Sequence, residues 1–244
     1  MQHCYHNYSC HSNLSMNWIG TDQPHHQRWQ LDPVFKLDWL ASGWTEDTVI
    51  EYRFNDGGFR TEEFDQSRRI MVLGSSPTVG VGLHRSQTWP ELLSKKINVP
   101  VWNLATGTGC SDTMYRVCKN YLPQLNISMV IEVGAEKNAF EIHDQYHWQI
   151  INDPDQHHDR LLDTVRSVWY SNTENLKINQ EKNTAAMQWI CHQNNVPYYK
   201  FSVNAMIRKK HAMIGEIDWS RCGNHIGPRT HVAIAEYIAD HIIL

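Results

Sequence analysis

From Arg69 onward the chain alternates short apolar runs with helical patterns, and this alternation restricts the fold more than any other feature. Residues 70–73, 99–104, 127–133 and 197–201 are short and apolar, as strands buried on both faces are. Helical patterns separate them. Thr88-Trp89-Pro90-Glu91 reads as a capping box with proline in the first turn. Ser111 reads as the cap of a helix running to about Tyr121 and stopped by Pro123. Residues 172–194 form a long helical pattern. Residues 228–242 form another, with Ile234, Ile238 and Ile242 along one face. Strand and helix alternating through short loops predict an α/β fold over residues 67–244, with a central parallel sheet covered on both sides. Ligands in such sheets bind beyond the carboxyl ends of the strands. Gly74-Ser75-Ser76, residues 103–109 and residues 134–138 all follow strand ends, so they are expected to meet on one rim.

Residues 1–66 are different in kind. They are rich in His, Asn, Gln and Trp and show little helical periodicity. They read as an irregular N-terminal extension packed on the main domain, with a strand within residues 48–54 and a turn at Asn55-Asp56-Gly57-Gly58. A formal net charge of -4 offers no basic field for a phosphate backbone, so nucleic acid is not an expected partner. No run approaches the roughly 20 apolar residues of a membrane span. With no apolar leader visible in residues 1–10, the 6 Cys read as reduced thiols and the expected location is cytoplasmic. His3, Cys4, His6, Cys10 and His11 are metal-ligating types, but their spacing matches no standard zinc pattern, and no metal or cofactor is expected. His157 and His158 read as part of a solvated loop, and Trp89 and Trp102 as core.

Ser76 follows a buried strand and precedes Pro77, which places its hydroxyl at a helix start beside unbonded N–H groups. A serine there either caps a helix or, given an adjacent base, acts as a nucleophile. The stretch from Ile70 to Gly82, through Gly74-Ser75-Ser76-Pro77-Thr78-Val79-Gly80, resembles the first motif block of the SGNH/GDSL hydrolases. It is closer still to an often phage-encoded branch reading Gly-Cys-Ser-x-Thr-x-Gly-x-Gly, followed by Thr-Trp-Pro. Thr88-Trp89-Pro90 supplies the latter, and Asn55-Asp56-Gly57-Gly58-Phe59-Arg60 is similar to that branch's lead-in. The resemblance implies a flavodoxin-like three-layer α/β/α sandwich with Ser76 as nucleophile. Ser75 stands where the wider family has Asp.

Further blocks carry the same resemblance. The segment from Asn103 to Asp112 is similar to the second block, which implies an oxyanion donor at Gly107 or Gly109; the spacing does not choose between them. Residues 134–138 answer to the third block, Gly-x-Asn-Asp, but Glu136 takes the Asn register, leaving Asn138 or Lys137 to reach in. The segment from Arg221 to Pro228 is similar to the final block, Asp-x-x-His, which implies His225 as the base. Cys222 stands where the family has Asp, and a thiol does not stabilise an imidazolium as a carboxylate does. Asp218 on the same loop, a backbone carbonyl, or no partner at all are the alternatives. The expected activity is hydrolysis of a small acyl ester on a carbohydrate or lipid, with a small-molecule or glycan ester as substrate. The alternative is a catalytically degenerate, virion-associated binding module.

Overall fold

The computed structural model describes residues 12–134, 139–143, 148–151, 164, 173–203, 205–206 and 218–243. Its strands are β1 (Ser15–Met16), β2 (Tyr52–Arg53), β3 (Arg69–Gly74), β4 (Val101–Asn103), β5 (Ile127–Gly134), β6 (Phe140–His143), β7 (Trp148–Ile151) and β8 (Tyr198–Ser202). Its helices are α1 (Arg28–Leu31), α2 (Pro33–Ala41), α3 (Ser76–Val79), α4 (Trp89–Ile97), α5 (Ser111–Tyr121), α6 (Thr173–Gln193) and α7 (Pro228–Ala239). The expected α/β architecture is present. The main sheet runs β4-β3-β5-β8 and is parallel throughout.

Side chains of β3 alternate across the sheet, as the pleat requires. Ile70 and Val72 meet Met129, Ile131 and Val133, together with Trp89 and Leu93 of α4 and Ile234 and Ile238 of α7. Met71 and Leu73 face the other way, against Trp102, Met114 and Val117 of α5 and Met187 and Cys191 of α6. Helices thus cover both faces and give three layers. Trp89 and Trp102 lie in these cores as expected; Ile234 and Ile238 line the buried face of α7, while Ile242, expected on the same helix, follows its end at Ala239 and packs in the same core.

Two helix starts differ from the sequence reading. Thr88 makes no capping bond to α4; its hydroxyl donates to the Arg85 carbonyl at 2.8 Å. The Trp89 N–H is received instead by Nδ1 of His231, at 2.9 Å, from α7. Ser111 is the first residue of α5, with Cys110 at the cap position, and Ser111 Oγ accepts from Asn183 of α6. Long-range packing overrode local propensity at both ends.

The N-terminal residues build a third core. Ile19, Trp29, Phe35, Trp39, Trp44, Ile50, Tyr52 and Phe54 pack on Val79, Val81 and Leu83 after α3, on Ala105 and on Cys222. Only Tyr52–Arg53 of the expected strand within residues 48–54 is extended, pairing with β1. Two short helices stand where loops were expected. Asp32 caps α2 through Val34 and Phe35 N–H groups, with Pro33 in its first turn, an Asp-Pro pair that is itself a local helix-start signal. Residues 3–11 and 157–158, with the His-rich motifs noted above, lie outside the described residues.

Candidate active site

The sheet order reverses direction at β3: the chain passes to β4 on one side, then crosses to β5 on the other. The crevice at such a switch point is where doubly wound sheets bind ligands. Ser76 leaves β3 there. The turn is tight: a Cβ on Gly74 would lie 2.2 Å from Thr78 Oγ1, so only glycine fits. Ser75 is extended, and its carbonyl accepts from Thr78 and Val79 N–H groups, so Ser76 becomes the first residue of α3. Ser76 is 6% exposed. Neither its hydroxyl nor its N–H is hydrogen-bonded among the described residues.

The loop after β4 is laid along this elbow. Leu104 N–H donates to the Val72 carbonyl, and Thr106 N–H to the Gly74 carbonyl at 3.2 Å. Asn103 Nδ2 reaches the Thr78 carbonyl at 2.8 Å, while its Oδ1 accepts from Ala105 N–H. Gly107 and Gly109 separate here. The Gly109 N–H is taken by the Thr106 carbonyl at 3.1 Å, and a Cβ on Gly109 would meet Thr106 Oγ1 at 2.5 Å. The Gly107 N–H has no acceptor among the described residues. Asn138, Glu136 and Lys137 fall outside the described residues.

Arg60 holds the chain that follows α3. Its guanidinium donates to the carbonyls of Val79, Gly80, Leu83 and Glu51. Burial pulls its pKa down to about 10, still well above neutral pH. The lead-in residues thus have a structural meaning: Asn55 Oδ1 receives the Phe59 N–H and shapes the turn that delivers Arg60.

His225 sits half-buried on a loop closed by two backbone bonds, Ser220 N–H to the His225 carbonyl and Gly227 N–H to the Asp218 carbonyl. This loop touches the segment that follows Ser76 directly, because Arg221 N–H donates to the Gly82 carbonyl at 2.8 Å. At Nδ1 of His225 stand Cys222 Sγ, at 3.2 Å, and Thr21 Oγ1, at 3.3 Å. Burial holds the Cys222 thiol above its ordinary range, opposed by its hydrogen-bonded contacts with Ser220 and Asn224. Cys222 is therefore a neutral group at this position.

Asp218 has a different post from the one expected. Its Oδ2 accepts from Arg229 N–H at 2.6 Å, and its Oδ1 from Thr230 N–H at 2.9 Å and Thr230 Oγ1 at 2.7 Å. Both oxygens serve the start of α7, whose free N–H groups attract a buried carboxylate more strongly than a loop neighbour does. Thr21 is the residue that sequence reasoning missed. It lies 204 positions from His225, and no local pattern marks it. Its neighbour Asp22 is fully buried against Tyr52 OH and the Arg221 guanidinium. Among the described residues no group of His, Cys, Asp and Glu is arranged to hold a metal ion, and no helix is long and apolar enough to cross a membrane.

No family model and no curated protein matches the sequence. Solved structures do. A member of the lipolytic protein G-D-S-L family from Veillonella parvula shares 13% identity over 72% of this chain and 98% of its own, with a TM-score of 0.41. A psychrotrophic esterase from a Pseudoalteromonas species shares 15% identity over 72% and 97% of the two chains, with a TM-score of 0.37. A carbohydrate acetylesterase from Sinorhizobium meliloti shares 11% over 71% and 97%, with a TM-score of 0.36.

Proposed function

We propose that this chain is a serine ester hydrolase of the SGNH/GDSL type, with Ser76 as nucleophile and His225 as general base. The observation that carries the reading is the Ser76 hydroxyl, without a hydrogen bond among the described residues, at the strand-to-helix turn of the sheet's switch point, with the N–H groups of Ser76 and Gly107 likewise without acceptors among the described residues. Ser76 Oγ attacks the ester carbonyl while His225 Nε2 takes its proton. The tetrahedral oxyanion is held by the N–H groups of Ser76 and Gly107. Collapse expels the alcohol, protonated by His225, and leaves an acyl-serine that water hydrolyses by the same route. Gly109 shapes the loop rather than donating, since its N–H is already bonded. Asn138 is proposed as a further donor. The substrate class is a small acyl ester on a carbohydrate or lipid.

The test is labelling with a fluorophosphonate, which reacts only with an activated serine. Wild type is expected to label at Ser76, and Ser76→Ala to fall to background. Equal labelling of the two sinks the assignment. A second reading, a binding module built on a lapsed enzyme, is favoured by one observation, the neutral thiol at Nδ1 of His225. Saturable glycan binding together with no turnover across an acyl-ester panel supports that reading instead.

A further inference from the structure

We propose that Thr21, brought in by the N-terminal residues, is the positioning residue that holds His225 in its working tautomer. This rests on the serine-hydrolase reading above. A neutral imidazole that accepts a proton at Nε2 must carry its own proton at Nδ1, so Nδ1 needs an acceptor. Among the described residues, Cys222 Sγ and Thr21 Oγ1 face it. Sulfur is the weaker acceptor, and it is already approached by others. Asn224 N–H points at Sγ from 3.4 Å, and Thr21 Oγ1 lies 3.6 Å away with its hydroxyl directed at the sulfur.

One set of directions through these contacts serves that tautomer. The Nδ1–H donates to Thr21 Oγ1. The Thr21 hydroxyl donates on to Cys222 Sγ. The Cys222 S–H donates to Ser220 Oγ, 3.1 Å away. With its hydrogen committed to sulfur, Thr21 turns a lone pair toward the ring. The reverse arrangement, with the thiol donating to Nδ1, would leave the proton on Nε2, where the ring cannot act as a base. The hydroxyl therefore selects the tautomer that a carboxylate selects in an ordinary triad, without supplying its charge.

Thr21 is held for this work from behind. It belongs to a single 3-10 turn, Gly20–Asp22, and Asp22 is clasped by the guanidinium of Arg221, the residue before Cys222. The Asp22–Arg221 pair fixes donor and acceptor segments in one register.

The test compares Thr21→Val, which keeps shape and loses the oxygen, with Thr21→Ser, which keeps the oxygen. Two quantities are read: the rate of fluorophosphonate labelling across pH, and the His225 tautomer by nitrogen NMR. The expected result is a labelling rate lowered about tenfold or more in Thr21→Val, a shift of the ring proton toward Nε2, and return to within about threefold of wild type in Thr21→Ser. Adding Cys222→Asp to Thr21→Val is expected to restore labelling and raise its pH midpoint, because a carboxylate favours the charged ring. A Thr21→Val protein with the wild-type rate, midpoint and tautomer overturns the inference. If Thr21→Val fails to fold, Thr21→Ala and the double variant with Cys222→Asp carry the same readouts. If wild type labels no faster than Ser76→Ala, the hydrolase reading has failed, and the tautomer measurement still decides Thr21 separately.

Discussion

The two halves of the site are held in contrasting ways. The Ser76 segment is fixed by the sheet itself: β3 ends, Gly74 allows the bend, and the Ser75 and Ser76 carbonyls close the turn with residues a few positions on. The His225 loop is fixed from far away in the chain. Trp39 Nε1 donates to the Arg221 carbonyl, Trp44 Nε1 to the Trp219 carbonyl and Arg28 N–H to the Cys222 carbonyl, while Asp22 clasps Arg221. The turn at Ser76 is a property of a strand end. The His225 loop is a property of two distant segments folded together, and it should fail first when either is disturbed.

The largest expected effect comes from cutting that clasp. Asp22→Asn leaves the Arg221 guanidinium buried without its counter-charge, which typically costs about 3–5 kcal/mol. Urea unfolding should show it, and the loss should fall mainly on the His225 side, so hydrogen exchange should accelerate in residues 218–227 and not in β3. Equal acceleration in both would mean that the two halves are held alike.

Next comes a pH effect at the seam between the halves. His231 ties the start of α4, which follows the nucleophile segment, to α7, which follows the base loop. Burial, with smaller contributions from His225 and Arg60, lowers its pKa from an ordinary 6.5 to about 3. Between these values the unfolded chain binds a proton that the folded chain refuses. Stability is therefore full above about pH 6.5 and falls as pH drops toward 3, by about 1.4 kcal/mol per pH unit from this group. Urea midpoints for wild type and His231→Gln should converge on acidification; parallel curves refute the assignment.

Gly82→Ala probes the contact between the halves. Gly82 has φ +79, and an added Cβ would lie 2.6 Å from Ser220 Oγ and 3.0 Å from Cys222 N. The backbone strain and the crowding together should cost about 2 kcal/mol. Labelling at Ser76 should fall further than stability predicts, because the base loop is pushed off the nucleophile segment. The smallest effect is expected from Asp218→Asn. It weakens the start of α7 by about 1–2 kcal/mol, readable as a lowered melting temperature, yet should change the labelling rate by less than about threefold. A loss of several orders of magnitude would restore Asp218 as the acid of a triad.

How far each half could be read in advance follows from the same contrast. The four strands and the helices between them were visible because burial of a parallel sheet writes itself into short apolar runs. The turn that carries Ser76 was visible because a strand running through glycine into a helix start is local. Gly107 and Gly109 were inseparable by spacing, since what distinguishes them is a carbonyl on Thr106 that takes one N–H and not the other. Cys222 stood out as a departure, but its compensation did not. Asp218 was an attractive substitute only by nearness in the chain, and the free N–H groups of α7 made a stronger claim on it. Thr21 was hidden for the opposite reason: its role depends wholly on a neighbour some two hundred residues later.

That separation has a consequence for how the molecule is made. Trp29, Trp39 and Trp44 leave the ribosome long before residues 218–225, on which their segment packs. At about 5–20 residues per second, the wait is roughly 10–40 s. Throughout it the indole rings lack part of their final cover. These early segments then dock on residues 218–225, so, on the roles proposed for Ser76 and His225, their pairing is expected late in folding.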